Sequence, residues 1–194
     1  MRAMRIMNVS QLDTSMSTTT HRTADELFQN PPNHRWELVR GELRIMSPAG
    51  AKHGWVLVNI AGFLHDFVKR NKLGYVFGAE TGFCIERDPD TVRAPDVAFV
   101  KTERVEGDLP DEFFPGAPDL AVEVLSLDDS ASAVQEKSKN WLRCGCHEVW
   151  LVDPRRKTAS RYTLENGSVF TRSGDELTAD VLPGFTLMVA EIFA

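Results

Sequence analysis

Several features are scarce or missing in this 194-residue sequence, and each absence narrows the possible classes of protein. No apolar run is long enough to cross a bilayer, and none follows Arg2 and Arg5, so we predict neither a membrane span nor a secretory signal. The three cysteines, Cys84, Cys144 and Cys146, lack the spacing of a disulfide framework. Such sparse cysteine favours a reducing environment, so we expect a cytoplasmic protein.

Two common catalytic motifs are also missing from the sequence. It contains neither the Gly-x-Ser-x-Gly nucleophile elbow nor the phosphate-binding Gly-x-x-x-x-Gly-Lys, which disfavours a hydrolase that uses Ser126 or a cysteine. A zinc site at Cys144-Gly145-Cys146-His147 is disfavoured as well. Its spacing is Cys-x-Cys, no second ligand pair occurs elsewhere, and thiols at the end of a helix are the simpler interpretation.

The charge of the chain is negative overall and unevenly distributed. A net charge of −6 does not indicate nucleic-acid binding. Residues 137–161 nevertheless hold seven basic residues against two acidic ones, whereas residues 86–112 hold nine acidic residues against four basic ones. Two solvent-exposed surfaces of opposite charge, without any function, would explain this distribution. A basic edge beside an acidic pocket would also suit an enzyme that cleaves phosphodiesters, because local potential guides an anionic substrate.

The length and composition predict one globular domain of the α/β class preceded by a tail. Residues 1–22 are polar and without periodicity, so we predict a flexible N-terminal tail. Residues 23–194 are 172 of the 194 positions, enough for one domain with a substantial core. No repeat or second domain is evident.

The first half of the domain shows helix and strand signals in alternation. Thr23 to Glu26 has the spacing of a capping box, which predicts a short helix through Phe28. We predict a hairpin of strands 36–39 and 43–46, a helix over about 51–72 that Gly74 ends, strands near 75–86 and 96–100, and a surface loop over 101–117.

The second half continues the same alternation. We predict a buried strand over 119–126, a helix that Asp128, Asp129 or Ser130 caps and that ends near 143, and a buried strand over 148–152. A hairpin of 158–164 and 168–172 around Asn166-Gly167 follows, and the apolar residues beyond Leu182 are expected to pack on the core.

Two of the apolar runs carry an acidic residue. Asp96 opens the run at residues 96–100, and Glu123 lies inside the run at residues 119–126. Leu120, Val122 and Val124 should face one side of their strand, so Glu123 shares the other face with apolar neighbours. A buried carboxylate is costly unless it is paired or binds a metal. We therefore predict that Asp96 and Glu123 converge on a hard divalent cation such as Mg²⁺.

The predicted helix after Ser126 supplies a basic residue to the same region. A helical projection places Lys137, Ser138 and Trp141 on the apolar face with Val134, and Lys139 toward solvent. A lysine on an apolar face often extends its ammonium to water. The alternative is that Lys137 pairs with the two acids and stabilises negative charge in a reaction.

An ordered set of short motifs resembles a known family. The set comprises Glu37-Leu38-Val39-Arg40-Gly41-Glu42, Ser47-Pro48, His53, Arg93-Ala94-Pro95-Asp96-Val97, Pro118 to Ser126, Lys137 with Trp141, Gly145, and Glu148 to Pro154. It is similar to the Uma-two family of restriction-endonuclease-like domains in the PD-(D/E)XK nuclease superfamily. The resemblance covers about residues 23–194.

The resemblance implies a fold, a cofactor and site residues. The fold would be a restriction-endonuclease-like core, with a mixed central sheet flanked by helices. The activity would be Mg²⁺-dependent hydrolysis of DNA, with Mn²⁺ able to substitute. Asp96 and Glu123 match the two metal-binding acids. The superfamily pattern places the catalytic lysine two residues after the second acid, where this chain has Leu125. In the family that lysine instead lies on the next helix, and Lys137 matches it. Glu37 matches an additional acid, although an exposed hairpin carboxylate remains the alternative.

Two functions stay open on this basis. The first is a metal-dependent endonuclease, which we expect to act as a homodimer because two sites are needed to cut both strands. The second is a catalytically inactive nucleic-acid-binding or interaction module on the same fold. Leu125, the acidic net charge and the lack of a separate recognition domain favour this second function. His53 could contact a phosphate, or could equally cap or pack against a helix.

Overall fold

A computed structural model describes residues 21–126, 129–165, 167–172 and 174–194. The predicted tail therefore lies almost wholly outside the described residues, as do Asp128 and Asn166. The helices are α1 (Ala24–Gln29), α2 (Ala51–Asn71), α3 (Ala131–Arg143) and α4 (Val189–Ile192), with a 3-10 helix at Thr102–Arg104. The strands are β1 (Trp36–Val39), β2 (Glu42–Ile45), β3 (Gly74–Phe77), β4 (Phe83–Glu86), β5 (Thr91–Arg93), β6 (Val97–Lys101), β7 (Phe114–Pro115), β8 (Leu120–Val124), β9 (Glu148–Asp153), β10 (Thr158–Thr163), β11 (Gly167–Arg172), β12 (Glu176–Thr178) and β13 (Thr186–Met188).

The strands form a mixed six-stranded sheet, a five-stranded sheet and a two-stranded ribbon. The order in the larger sheet is β11-β10-β9-β8-β6-β3, in which only β8 and β9 are parallel neighbours among the described pairings. The order in the second sheet is β2-β1-β5-β4-β7, and β12 pairs with β13. Antiparallel β6 and β8 lie side by side, with Val97 opposite Val122. This register, continued by one residue, places Asp96 opposite Glu123.

The six-stranded sheet is covered on both faces. Helix α2 and the C-terminal segment pack on one face, where Val122 and Val124 are buried. Helix α3 and part of the second sheet pack on the other face, where Ala121 is buried with Trp141. The predicted alternation along β8 is therefore confirmed. It places Glu123 on the face covered by α3, between the two sheets.

Local chemistry explains where the helices begin and end. Helix α1 has the predicted capping box, because Thr23 accepts from the Glu26 amide and Glu26 accepts from the Thr23 amide. Ser130 caps α3 through a bond from the Ala133 amide. The predicted stop of α2 at Gly74 is wrong: Lys72 adopts the left-handed conformation at the C-cap, and Gly74 begins β3.

Three regions differ from the sequence-based expectation. The strand expected over 75–86 is two strands, β3 and β4, since residues 78–82 separate them, and the three-residue β5 follows. The expected surface loop at 101–117 contains a 3-10 helix and β7. The C-terminal segment packs on the core as predicted and also forms the β12–β13 ribbon. Within the described residues, we find no helix with the length and apolar character of a membrane span.

Cys144 and Cys146 have different environments, which predicts the order in which a reagent labels them. Burial raises the pKa of the Cys146 thiol to about 12, whereas Cys144 is half-buried at the end of α3. We expect a thiol-specific reagent at mildly alkaline pH to modify Cys144 first and Cys146 only on unfolding, because the thiolate is the reactive species. Peptide mass spectrometry measures the order. Equal labelling rates for Cys144 and Cys146 in the folded protein would contradict the structure.

Candidate active site

The candidate site lies where β6 begins and β8 ends, next to α3 and β1. Asp96, Glu123, Lys137 and Glu37 all line one cavity of about 370 Å³, which we call the carboxylate cavity. Its rim also carries Arg44. The four residues that the sequence predicted for the site are therefore brought together, although they come from three strand segments and one helix.

Glu123 is buried, and each of its carboxylate oxygens accepts one hydrogen bond from α3. Its Oε2 accepts a hydrogen bond of 2.8 Å from the Lys137 ammonium, and its Oε1 accepts one of 2.8 Å from the Trp141 indole N–H. Burial raises the pKa of Glu123 to about 7, and the charges of Asp96 and Glu37 add to the rise while Lys137 opposes it. Repulsion from the neighbouring acids therefore contributes to the raised pKa of Glu123, but burial is the larger cause.

Lys137 bridges two carboxylates from different sheets. Its Nζ lies 2.8 Å from Glu123 Oε2 and 3.1 Å from Glu37 Oε1, and its side chain is 20% exposed. Burial alone would lower the pKa of Lys137, but the charges of Glu123 and Glu37 raise it above its usual value, so the ammonium stays charged. The placement of Lys137, Ser138 and Trp141 on the packed face of α3 is confirmed, and Lys139 is exposed.

The two carboxylate oxygens of Asp96 have different contacts. Its Oδ2 accepts a 2.8 Å bond from the Val124 amide and lies 3.1 Å from His53 Nε2. Its Oδ1 faces the Arg35 guanidinium at 3.6 Å, beyond ordinary hydrogen-bond length. Burial would raise the pKa of Asp96, but the bonds from His53 and Val124 lower it below its usual value. Asp96 therefore remains a carboxylate.

Glu37 is buried, so the alternative of an exposed hairpin carboxylate is wrong. Its Oε2 accepts a 2.8 Å hydrogen bond from Arg93, whose Nε donates to Asn140 Oδ1 at 2.8 Å. Glu37 therefore connects β1 to both β5 and α3. In this arrangement it fixes the positions of Lys137 and Arg93, and its carboxylate faces the same cavity as Asp96.

The site contains residues that the sequence reasoning did not identify. Arg93 and Arg35 were not assigned roles, yet each lies beside a carboxylate of the cavity. His53 contacts Asp96 rather than capping α2, and this bond raises the pKa of His53 above its usual value. The only sequence signal for Arg93 was its position three residues before Asp96. Arg44 makes no ion pair in the described part of the chain and is exposed at the rim.

The donor set fits a Mg²⁺ ion held by two carboxylates. Among the described residues no group of three or more His, Cys, Asp or Glu side chains is arranged to hold a metal. Mg²⁺ needs only one or two protein carboxylates, because water and substrate phosphates supply its other ligands. Each carboxylate oxygen has two acceptor positions, so Glu123 keeps one free on each oxygen and Asp96 Oδ1 stays available.

The Trp141 indole is predicted to stabilise the fold through Glu123. Replacing Trp141 with phenylalanine removes the N–H donor to Glu123 Oε1 and leaves that buried oxygen without a partner. We expect the free energy of unfolding to fall by about 1–3 kcal/mol, measured by urea denaturation. The matched change Trp55→Phe, on the exposed face of α2, should alter it by less than about 0.5 kcal/mol. Equal losses in both variants would contradict the role of this bond.

Comparisons with known proteins give a family and a matching fold. A search of curated proteins found no match. A crystal structure titled "a putative nuclease belonging to DUF820", from Anabaena variabilis, aligns with a TM-score of 0.75 and 21% sequence identity, covering 88% of this chain and 97% of that one. That similarity shows a shared fold. The sequence profile of the Uma2 (Uma-two) family, described as "putative restriction endonuclease", matches residues 24–190. This chain therefore belongs to the Uma2 family, as its motifs indicated.

Proposed function

We propose that this protein is a metal-dependent endonuclease that hydrolyses phosphodiester bonds in DNA, with Mg²⁺ bound by Asp96 and Glu123. The observation that carries the proposal is the meeting of these two carboxylates with the Lys137 ammonium in one cavity. Family membership supports a nuclease activity. A bound Mg²⁺ would activate water and polarise the phosphate.

The residues of the chain have separable roles in this proposal. Lys137 places a positive charge beside Glu123 and stabilises negative charge that develops on the phosphate. Arg44 and Arg35 lie at the cavity wall, where they attract the anionic strand. His53 orients Asp96 through its contact with Oδ2 and leaves Oδ1 for the metal.

Cleavage of supercoiled plasmid tests the proposal. We expect the purified protein to nick or linearise the plasmid with Mg²⁺ or Mn²⁺ and to be inactive in EDTA, and Glu123→Gln to be inactive in both. Early linear product would further support a homodimer, because two sites act together on the two strands. Cleavage by Glu123→Gln at the wild-type rate would refute the assignment of the site.

A second candidate function is a nucleic-acid-binding or interaction module without catalysis. The charge balance favours it, because each carboxylate already has a cationic neighbour: Lys137 for Glu123, Arg93 for Glu37, and Arg35 for Asp96. This module would bind DNA equally in Mg²⁺ and EDTA and would cleave none. Filter binding at low salt, run beside the plasmid assay, separates the two functions.

A further inference from the structure

A second cavity of about 560 Å³ lies beside the carboxylate cavity and has a different character. We call it the aromatic cavity, because Phe28, Trp36 and Phe113 line it. Its volume is in the range of pockets that hold small organic groups. None of the residues proposed for hydrolysis, Asp96, Glu123, Lys137 and Glu37, lines it, so hydrolysis gives it no role.

The aromatic side chains form one cluster that faces this space. The rings of Phe28 and Phe113 meet edge to face with centroids 5.2 Å apart, and those of Trp36 and Phe113 meet at 5.9 Å. Phe28 is 41% exposed, and Trp36 and Phe113 are half-buried. Packing within the protein thus fixes the rings but leaves part of their surface open.

The two cavities share part of their lining. Arg35, Met46 and Arg93 line both of them. Along β1 the side chains alternate, so Glu37 points to the carboxylate cavity while Trp36 points to the opposite face, toward α1. The cavities therefore meet where β1 begins and β5 ends, at Arg35 and Arg93. A group attached to a phosphate in one cavity can reach the other around this end of the sheet.

We propose that the aromatic cavity holds an unpaired nucleobase of the strand whose phosphate lies in the carboxylate cavity, an inference that rests on the proposed function. Nucleobases stack on aromatic rings whatever their sequence, because every base has a flat π-face. Arg35 lines both cavities, so the sugar-phosphate chain of the strand would pass beside it. The positive charge of Arg35 complements the negative charge of that chain. Asn33, His34 and Glu80 line the same space and offer hydrogen-bonding groups to the edge of a base.

A nucleobase in the aromatic cavity restricts the DNA substrates that the protein can bind. A base inside a duplex is stacked and paired, so it reaches such a cavity only by leaving the helix, which costs free energy. Single strands, mismatches and distorted junctions lower that cost. The preferred substrate would therefore be DNA with an unpaired nucleotide next to the cleaved bond.

Binding of two fluorescent oligomers tests this proposal in EDTA, which prevents metal-dependent cleavage. One oligomer is a short oligothymidylate, and the other is an abasic deoxyribose-phosphate chain of equal length and charge. We expect wild-type protein to bind the oligothymidylate about 5- to 150-fold more tightly, the range of one stacked base. Fluorescence anisotropy measures both dissociation constants. Equal affinity for the two oligomers, or no binding of either, would overturn the proposal.

Variants of the aromatic residues test whether the tighter binding of oligothymidylate depends on the aromatic cavity. Trp36→Leu should reduce the affinity for oligothymidylate to about that for the abasic chain and leave the affinity for the abasic chain unchanged. Phe28→Leu is a second variant, at a position that is 41% exposed and therefore contributes less to the core. Trp55→Leu is the matched control, because Trp55 is 57% exposed on α2 and lines neither cavity. A base preference that survives in both Trp36→Leu and Phe28→Leu would place the base elsewhere.

Failure of this inference is distinguishable from failure of the proposed function. A protein that cleaves plasmid with Mg²⁺ but shows no base preference remains an endonuclease and lacks the nucleobase site. A protein that prefers the oligothymidylate through Trp36 and never cleaves retains the nucleobase site and loses the proposed hydrolysis. The plasmid and oligomer assays therefore separate the two conclusions.

Discussion

Replacing Asp96 with asparagine is expected to reduce the rate of plasmid cleavage in Mg²⁺ by about 100-fold or more. The change keeps the size of the side chain and an acceptor oxygen, so the Val124 amide can keep its bond. It removes the negative charge of a carboxylate that lines the carboxylate cavity and makes no hydrogen bond of ordinary length through Oδ1 among the described residues. An amide oxygen is a weaker ligand for a hard cation than a carboxylate, so the loss should be greatest at low Mg²⁺.

The control for this prediction is another aspartate outside the cavity. Asp111→Asn makes the same chemical change at an exposed position and should leave the rate unchanged. Circular dichroism of both variants checks that they are folded. If Asp96→Asn cleaves as fast as Asp111→Asn, Asp96 does not hold the catalytic metal.

Replacing Lys137 with methionine is expected to lower the free energy of unfolding by about 3–5 kcal/mol. Methionine keeps much of the apolar stem but removes the ammonium that lies 2.8 Å from Glu123 and 3.1 Å from Glu37. Glu123 would then be a buried acid with only the Trp141 indole as a donor. Urea denaturation of the metal-free protein, followed by circular dichroism, measures the change.

Two further variants isolate the charge effect from the packing effect. Lys139→Met makes the same substitution two residues along α3 at an exposed position, and we expect a change below about 0.5 kcal/mol. In a Glu123→Gln background, Lys137→Met should cost less than it does alone, because the two residues interact directly. Strictly additive losses would show that the Lys137–Glu123 pair contributes little to stability.

Periodicity in the sequence was sufficient to predict much of the site. The period of two along β8 placed Glu123 on the face opposite Val122, and the helical period of α3 placed Lys137 on the packed face. Both predictions depend on local geometry alone. The meeting of Asp96 and Glu123 in one cavity also followed, because a buried carboxylate needs a partner or a metal.

Other parts of the site could not be predicted because they depend on pairings between distant segments. The buried carboxylate of Glu37 is paired with Arg93, 56 residues away in the sequence. That bond requires β5 to pair with β1, and β5 is only three residues long, too short to show a period. The contact of His53 with Asp96 likewise depends on how α2 crosses the large sheet. Such contacts are set by tertiary packing.

Calorimetric titration of Mn²⁺ tests the central claim most directly, because it measures metal binding without depending on the choice of nucleic-acid substrate. The account predicts heat of binding in the wild-type protein, the same heat in Asp111→Ala, and none in Asp96→Ala. Heat in both the wild type and Asp96→Ala, or in neither, would contradict a metal site built on Asp96 and Glu123.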